Sequence, residues 1–353
     1  MSIRPETPCL LVDLERLDAN IQAAAAHATK LGIALRPHAK THKCPEIARR
    51  QRDAGAAGLT VATVAEAEVF AAQGFGDLFI AYPLWVHPQR GARLRRLRDI
   101  VSVTVGVDSV EGARALAAQV PGAGVLVEVD SGHHRSGVSP GDAGRLAEAA
   151  ARAGLDVHGV FTVPGHSYAV DAAERVAGEE RAALSEAAES LRTQGIEPRV
   201  VSGGSTPSAR HVGTGTMTEM RPGVYVFGDA QQWELGATSP DRIALSCLAT
   251  VVSHAGGNVV LDAGSKVLGA DRAPWASGYG RLLDHPDARI ILLSEHHAVV
   301  DWPDHTELPE LGSPLRVVPN HVCNTVNLAD ELLVVHNGAV VDAWRVAARG
   351  ANR

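Results

Sequence analysis

"AGVLVEVDSGHHRSGVSPGDAGRLAEAAARAGLDVHGVFTV", Ala123 to Val163, contains one full repeat of the chain's dominant rhythm. "AGVLVEVD" is a short Val-rich run, "PGDAGRLAEAAARAG" an Ala-rich helical run, and "LDVHGVFTV" a second β-rich run. Strand, helix and strand of these lengths make a β-α-β unit with parallel strands. The rhythm extends in both directions. "GIALRP", "GLTVAT", "DLFIAYP" and "IVSVTVGV" each precede a helical run, and "PRVVSGG" and "RPGVYVFGD" close the series near Asp229. Eight strand candidates at quasi-regular spacing predict a (β/α)8 TIM barrel. An open doubly wound sheet is the alternative, but the GxGxxG opening it usually carries after its first strand is absent.

After Asp229 the texture changes. "RIALSCLATVVSHAGGNVVLDAGSK", "ARIILLSEHHAVVDW", "SPLRVVPNHVC" and "ELLVVHNGAVVDAWRVAARG" read as short strands and turns, a β-rich second domain. "TPCLLVDLERL" near the start reads as a strand and then a helix start, and precedes the first barrel strand. The expected division is therefore an N-terminal strand segment, 1–18, joining the C-terminal β domain; a barrel over 19–232; and a β-rich domain over 233–353.

Composition narrows the function. The chain has 353 residues, a formal net charge of −7 and 45% hydrophobic residues, ordinary values for a globular protein. No basic stripe interleaved with aromatics appears, so nucleic acid is not an expected partner. "RGARLRRLRD", Arg90 to Asp99, fits the solvated face of a helix. No apolar run is long enough to span a bilayer, and the start lacks a signal-peptide core. The expectation is a cytoplasmic protein with no membrane contact. Cys9, Cys44, Cys247 and Cys323 are scattered, which is not a disulfide framework.

Chemistry in such barrels sits at the C-terminal ends of the strands. The unusual polar residues fall at that end: Lys40 after strand one, Thr63 and Tyr82 at strands two and three, Asp130 to Arg135 after strand five, His166 and Tyr168 after strand six, and "SGGSTPS" after strand seven. Gly-rich, hydroxyl-bearing loops after the last strands commonly hold phosphate. "LRPHAKTHK", Leu35 to Lys43, puts two histidines and two lysines at the exit of an apolar run. A lysine after strand one and a phosphate site across the barrel together point to pyridoxal phosphate, which bonds covalently to lysine through its aldehyde. Lys40 is the expected lysine, with His38, His42 and Arg36 around it. His321 and Cys323, in "PNHVCNTVN", stand two apart and would share one face of a strand. Imidazole and thiolate suit zinc, and two protein ligands leave open positions, a catalytic arrangement.

Through these motifs the chain resembles the fold-type III pyridoxal-phosphate family of D-serine dehydratase, D-threo-3-hydroxyaspartate dehydratase and low-specificity D-threonine aldolase. The resemblance covers nearly the whole chain through "TPCLLVDLERLDANI", "LRPHAKTHK", "VDSGHHRSGV", "PGHSY", "SGGSTPS", "RPGVYVFGD", "LDAGSK" and "PNHVCNTVN". It implies an alanine-racemase-like barrel plus a β domain, assembled as a homodimer. It implies Lys40 as the cofactor lysine, Arg135 facing the cofactor 3-oxygen and Tyr168 near the pyridine nitrogen. It also implies Ser202, Gly203, Gly204, Ser205, Gly223 and Tyr225 on the phosphate side. A divalent metal on His321 and Cys323 would bind the substrate's β-hydroxyl, with Zn2+ favoured and Mn2+ or Mg2+ as alternatives.

The expected activity is a lyase acting on D-β-hydroxy amino acids. Within that resemblance, the cysteine at 323 is similar to the dehydratases and implies dehydration to a keto acid and ammonia. Retro-aldol cleavage to glycine and an aldehyde is the alternative, with His38 or His42 as its base. A non-catalytic pyridoxal-phosphate carrier is a further alternative, and the β-rich domain with its His-X-Cys pair counts against it. A racemase would commonly need a tyrosine from the β domain; after Asp229 the only one is Tyr279.

Overall fold

The computed structural model describes residues 5–213, 215–303 and 306–353. The chain divides into two compact units. One comprises Met1–Gln22, Thr41–Ile47 and Val224–Gly350; the other comprises Ala23–Lys40, Ala48–Gly223 and Ala351–Arg353.

The chain begins with β1 (Cys9–Asp13) and α1 (Leu14–Leu31). The barrel strands follow: β2 (Ala34–Leu35), β3 (Leu59–Val61), β4 (Asp77–Pro83), β5 (Ser102–Val107), β6 (Gly124–Glu128), β7 (Asp156–Phe161), β8 (Val200–Gly203) and β9 (Glu219–Met220). Between them run α2 (Pro45–Asp53), α3 (Val64–Ala72), α4 (Pro88–Arg98), α5 (Val110–Gln119), α6 (Ala143–Arg152) and α7 (Ala173–Thr193). All pairings in this sheet are parallel, in the order β2-β9-β8-β7-β6-β5-β4-β3. A parallel bridge from His38 to Thr60 joins the two ends, so the eight strands close into a barrel. Every residue of β6 is buried, as parallel strands covered on both faces require. The Thr63 side chain caps α3 by accepting from the Glu66 N–H. Gly159 inside β7 has φ +149, and a Cβ there would stand 1.9 Å from the Val200 carbonyl oxygen. Only glycine lets β8 close on β7 at that point.

The barrel interior is partly ionic. Arg221 is fully buried, 5.4 Å from the Phe79 ring centroid and 5.3 Å from that of Phe161. Those two rings meet edge to face at 5.0 Å. Arg221 donates to the Ser202 hydroxyl at 2.7 Å and to the Thr162 carbonyl. Arg36 forms ion pairs with Glu219 at 2.6 Å and Asp77 at 2.9 Å. It ties β2 to β9 and β4, and it does not line the Lys40 surroundings as expected from the sequence.

The eighth strand corrects the sequence expectation. It is Glu219–Met220, not "GVYVF"; Val224–Val226 is a 3-10 turn. Pro222 supplies the reason, since it has no N–H for a ladder. Its carbonyl instead accepts from the His38 N–H at 3.1 Å.

The second sheet contains β1 with β10 (Leu245–Ser253), β11 (Val259–Leu261), β12 (Gly280–Leu282), β13 (Arg289–Leu293), β14 (Ala298–Asp301), β15 (Pro314–Pro319), β16 (Glu331–His336) and β17 (Ala339–Arg345). The pairings β10-β11-β14-β13-β12-β15-β10 form a closed antiparallel ring. β1 pairs antiparallel with β10 and parallel with β16. Three short helices complete this unit: α8 (Ala230–Glu234), α9 (Ser265–Leu268) and α10 (Val322–Leu328). Among the described residues no helix is long and apolar enough to cross a membrane.

Candidate functional site

In the barrel unit a cavity of about 540 Å3 opens where successive strands end. Lys40 follows β2, Thr63 follows β3, Tyr82 lies near the end of β4, Asp108 follows β5, and Arg135 and Ser136 follow β6; all six line it, with His38. This is the barrel face where side chains from different strands converge. Lys40 occupies a one-turn 3-10 segment, Ala39–Thr41, and its side chain is exposed. The lining thus combines an accessible primary amine, a guanidinium, an imidazole, a phenol and a carboxylate. Behind Ser136, whose hydroxyl donates to Glu128 at 2.9 Å, burial pushes the Glu128 carboxyl above its usual range.

Of the residues singled out from the sequence, the lining of that cavity holds Lys40, His38 and Arg135, with Thr63 and Tyr82. His42 is fully buried, and its Nδ1 lies 3.0 Å from the Cys44 carbonyl oxygen and 3.1 Å from the Cys44 amide. Tyr168 is half-buried at the end of a 3-10 turn, Gly165–Ser167. Gly223 and Tyr225 are half-buried beside the turn that follows Pro222. The Ser202–Ser205 loop leaves β8 as a compact polar knot. The Ser202 hydroxyl donates to Glu219 at 2.7 Å, and the Ser205 hydroxyl is 2.8 Å from those of Ser167 and Ser208. Gly204 has φ +80, a left-handed turn that glycine adopts freely.

This donor set fits pyridoxal phosphate. The cavity supplies the amine, and the loop supplies clustered hydroxyls and glycine backbone of the kind that holds phosphate.

The second polar centre lies in the other unit. His321 is the N-cap of α10, with φ −133 and ψ 97, and Cys323 is in that helix's first turn. The sequence expectation of one strand face is therefore corrected: β15 stops at Pro319, and the pair converges through a cap and not through strand alternation. Asn320 fixes the entry by donating to the Gly278 carbonyl at 2.7 Å. The Cys323 thiol is 3.3 Å from the Thr41 hydroxyl. The Asp271 carboxylate lies 2.5 Å from His321 Nδ1. Fully buried Asp229 accepts from the Val322 N–H at 3.2 Å.

Burial alone would lower the His321 pKa. The Cys323 sulfur, Asp271 and Asp229 outweigh it and raise the imidazole to about 11. Burial would raise Asp271, but His321 holds that carboxylate below its usual range. Anionic groups thus crowd one proton on His321. A divalent cation in its place fits this donor set, with Nδ1 already committed to Asp271 and Nε2 left for the metal. Among the described residues no cluster of three or more His, Cys, Asp or Glu is poised for a metal.

Asp271 escaped the sequence reading because it is fifty residues from His321 with no spacing signal. Its geometry yields a prediction. Asp271→Asn should weaken divalent-metal affinity by about 10- to 100-fold, the usual effect of losing the partner that orients a ligating histidine. Competition against a chromophoric chelator measures it; unchanged affinity would leave Asp271 with no part in the metal centre.

Comparison with known proteins places the chain. Residues 12–231 match the model for the alanine racemase N-terminal domain, and residues 244–335 match that for a putative serine dehydratase domain. D-threonine aldolase from Arthrobacter sp is 37% identical over 99% of this chain and 94% of its own. D-threo-3-hydroxyaspartate dehydratase from Delftia sp. HT23 is 36% identical over 91% of each chain. Its solved structure superposes with a TM-score of 0.89, at 34% identity, over 97% of each chain. That of D-threonine aldolase from Filomicrobium marinum gives 0.88, at 33% identity, over 98% of this chain and 96% of the other. Histidine-to-alanine and cysteine-to-alanine variants of the dehydratase have also been solved, the second described as a metal-free form. The closed parallel barrel, the antiparallel β domain and identities of this size along the whole chain lead to one conclusion: this protein belongs to the alanine-racemase-like family that contains D-threonine aldolase and D-threo-3-hydroxyaspartate dehydratase.

Proposed function

We propose that the protein is a pyridoxal-phosphate- and divalent-metal-dependent lyase that dehydrates D-β-hydroxy amino acids to a keto acid and ammonia. The observation that carries this reading is Lys40 lining the cavity at the strand ends, together with Arg135 and His38. When bound, pyridoxal phosphate supplies the electron sink that lets a bond at the substrate's α-carbon break. Lys40 holds the cofactor and takes the α-proton, a task for which its exposed amine is placed at the cavity wall. Arg135 would supply a guanidinium to the bound cofactor, and the Ser202–Ser205 loop would hold its phosphate. His321 and Cys323 hold the metal, with zinc favoured because thiolate is a soft ligand; the metal supplies a Lewis acid for the β-hydroxyl. The dehydratase relative supports this pair: its two altered residues, a histidine and a cysteine, are two positions apart, as His321 and Cys323 are. The same family resemblance carries a homodimer into this reading.

Retro-aldol cleavage is the second reading, favoured by the aldolase relative. His38 is its candidate base, since it lines the cavity while His42 is buried away from solvent. The two reactions separate by product. D-serine, D-threonine and D-3-hydroxyaspartate should release ammonia and a keto acid, and their L-isomers should not. If D-threonine gives glycine and acetaldehyde while D-serine and D-3-hydroxyaspartate release no ammonia, the dehydratase reading falls and the aldolase reading replaces it.

A further inference from the structure

Glu180 sits in the middle of α7, yet its side chain turns inward and is fully buried. Oε1 accepts a hydrogen bond of 2.6 Å from the Gly204 N–H. Oε2 is buried and has no hydrogen-bond partner among the described residues. The loop is shaped around this carboxyl. A Cβ on Gly203 would stand 2.4 Å from Oε1, so any larger residue there would push the carboxyl out. Gly204, the donor, holds the left-handed turn at φ +80.

A buried carboxyl with one oxygen unsatisfied costs free energy, so its retention needs a reason. Its position offers one. Glu180 grips the same backbone that the reading above assigns to the cofactor phosphate. An ionised carboxylate at hydrogen-bond distance from that loop would repel a phosphate. Burial pushes the Glu180 carboxyl up to about 7, against the pull of the Gly204 N–H and of Arg221, so the neutral acid is within easy reach. A neutral carboxyl keeps its acceptor oxygen for Gly204 without that repulsion.

We propose that Glu180 is a positioning residue for phosphate recognition: its Oε1 fixes the Gly203–Gly204 turn from behind, so that the loop presents its front to the phosphate group. The proposal rests on the pyridoxal-phosphate reading. Its signature is selective, because a residue acting only on the phosphate loop should alter binding of pyridoxal phosphate and leave binding of pyridoxal, which lacks the phosphate, unchanged.

The test titrates the full-length apoprotein with each compound and follows visible absorbance, for wild type, Glu180→Gln and Glu180→Ala. The quantity read is the preference for pyridoxal phosphate over pyridoxal. Glu180→Gln retains an acceptor oxygen for Gly204 and should keep the preference within about threefold, well under one hydrogen bond's worth. Glu180→Ala should lose about 10-fold or more of that preference, the loss expected for one buried hydrogen bond, with pyridoxal affinity unchanged. If alanine unfolds the chain, Glu180→Leu, nearer in volume, should show the same loss. An alanine or leucine variant that folds and keeps the full preference overturns the proposal, and so does a glutamine variant that loses it. If pyridoxal binds wild type through Lys40 and the phosphate adds no affinity, the Glu180 assignment fails while the cofactor-lysine reading stands. If neither compound gives a lysine-dependent band in wild type, both fail.

Discussion

Lys40→Ala abolishes both the visible absorbance band of lysine-bound cofactor and turnover, while the thermal unfolding midpoint of the apoprotein stays close to wild type: that is the expected result. Lys40 is exposed at the cavity wall, and no hydrogen bond or ion pair that holds the fold involves its amine among those described. Removing an exposed side chain of this kind changes stability by roughly 0.5 kcal/mol or less. The chemical effect is of another order. A positioned proton-transfer group alone is worth roughly 10^2- to 10^4-fold in rate, and Lys40 is also assigned the covalent attachment of the cofactor. Activity should therefore fall by at least about 10^4-fold. Lys43, three residues further on in the same motif, provides the internal control. It is buried, and its amine donates to Asn327 at 2.7 Å. Lys43→Ala should lower the unfolding midpoint and leave the absorbance band in place. If the band persists in Lys40→Ala and disappears in Lys43→Ala, the assignment moves from the first lysine to the second.

The contrast between these two lysines marks what a sequence can convey. "LRPHAKTHK" announces an unusual cluster, but not which side chains turn in and which turn out. Lys43 adopts φ +50 and becomes a buried structural donor, and His42 is closed off beside it. The barrel was legible because buried parallel strands must be apolar on both faces, and β5 to β7 spell this out in Val-rich runs. The eighth strand was not, because it is two residues long and the more hydrophobic "GVYVF" lies just beyond a proline. Glu180 was hidden for a different reason. "GEERAAL" reads as a solvated helix face, and the pattern cannot tell that Glu179 is on the surface, paired with Arg175, while Glu180 is buried against the Gly204 N–H. Asp271 and Asp229 were hidden by distance along the chain, since only the closed antiparallel ring and its short helices bring them to His321 and Val322. Residues that do chemistry at strand ends leave a positional trace; residues that support them from elsewhere in the fold leave none.

The proposed metal centre carries the second large effect. Chelation should stop turnover, falling by about 10^3-fold or more if the cation supplies the several kcal/mol typical of Lewis-acid assistance. Zinc should restore it more effectively than magnesium, because a thiolate ligand disfavours a cation that prefers oxygen. Cys323→Ala removes one of the two proposed protein ligands, and it should lose the metal while retaining the absorbance band of the lysine-bound cofactor. That combination separates two roles for Cys323. It is buried, and its sulfur meets the Thr41 hydroxyl at 3.3 Å, so it also has the contacts of a packing residue. A packing role predicts a lower unfolding midpoint, an intact metal content and activity that survives in the folded fraction. A ligand role predicts a metal-free, folded protein whose activity zinc does not rescue. Cys323→Ser sharpens the distinction, since a serine hydroxyl nearly preserves the volume and can still meet Thr41, but is a poor zinc ligand at neutral pH. If the serine variant keeps its zinc and its turnover, Cys323 is not a ligand and the metal-assisted departure of the β-hydroxyl loses its basis. If it folds as wild type, carries no zinc and releases no ammonia from D-serine, the thiolate is required for the metal, and the metal for the reaction.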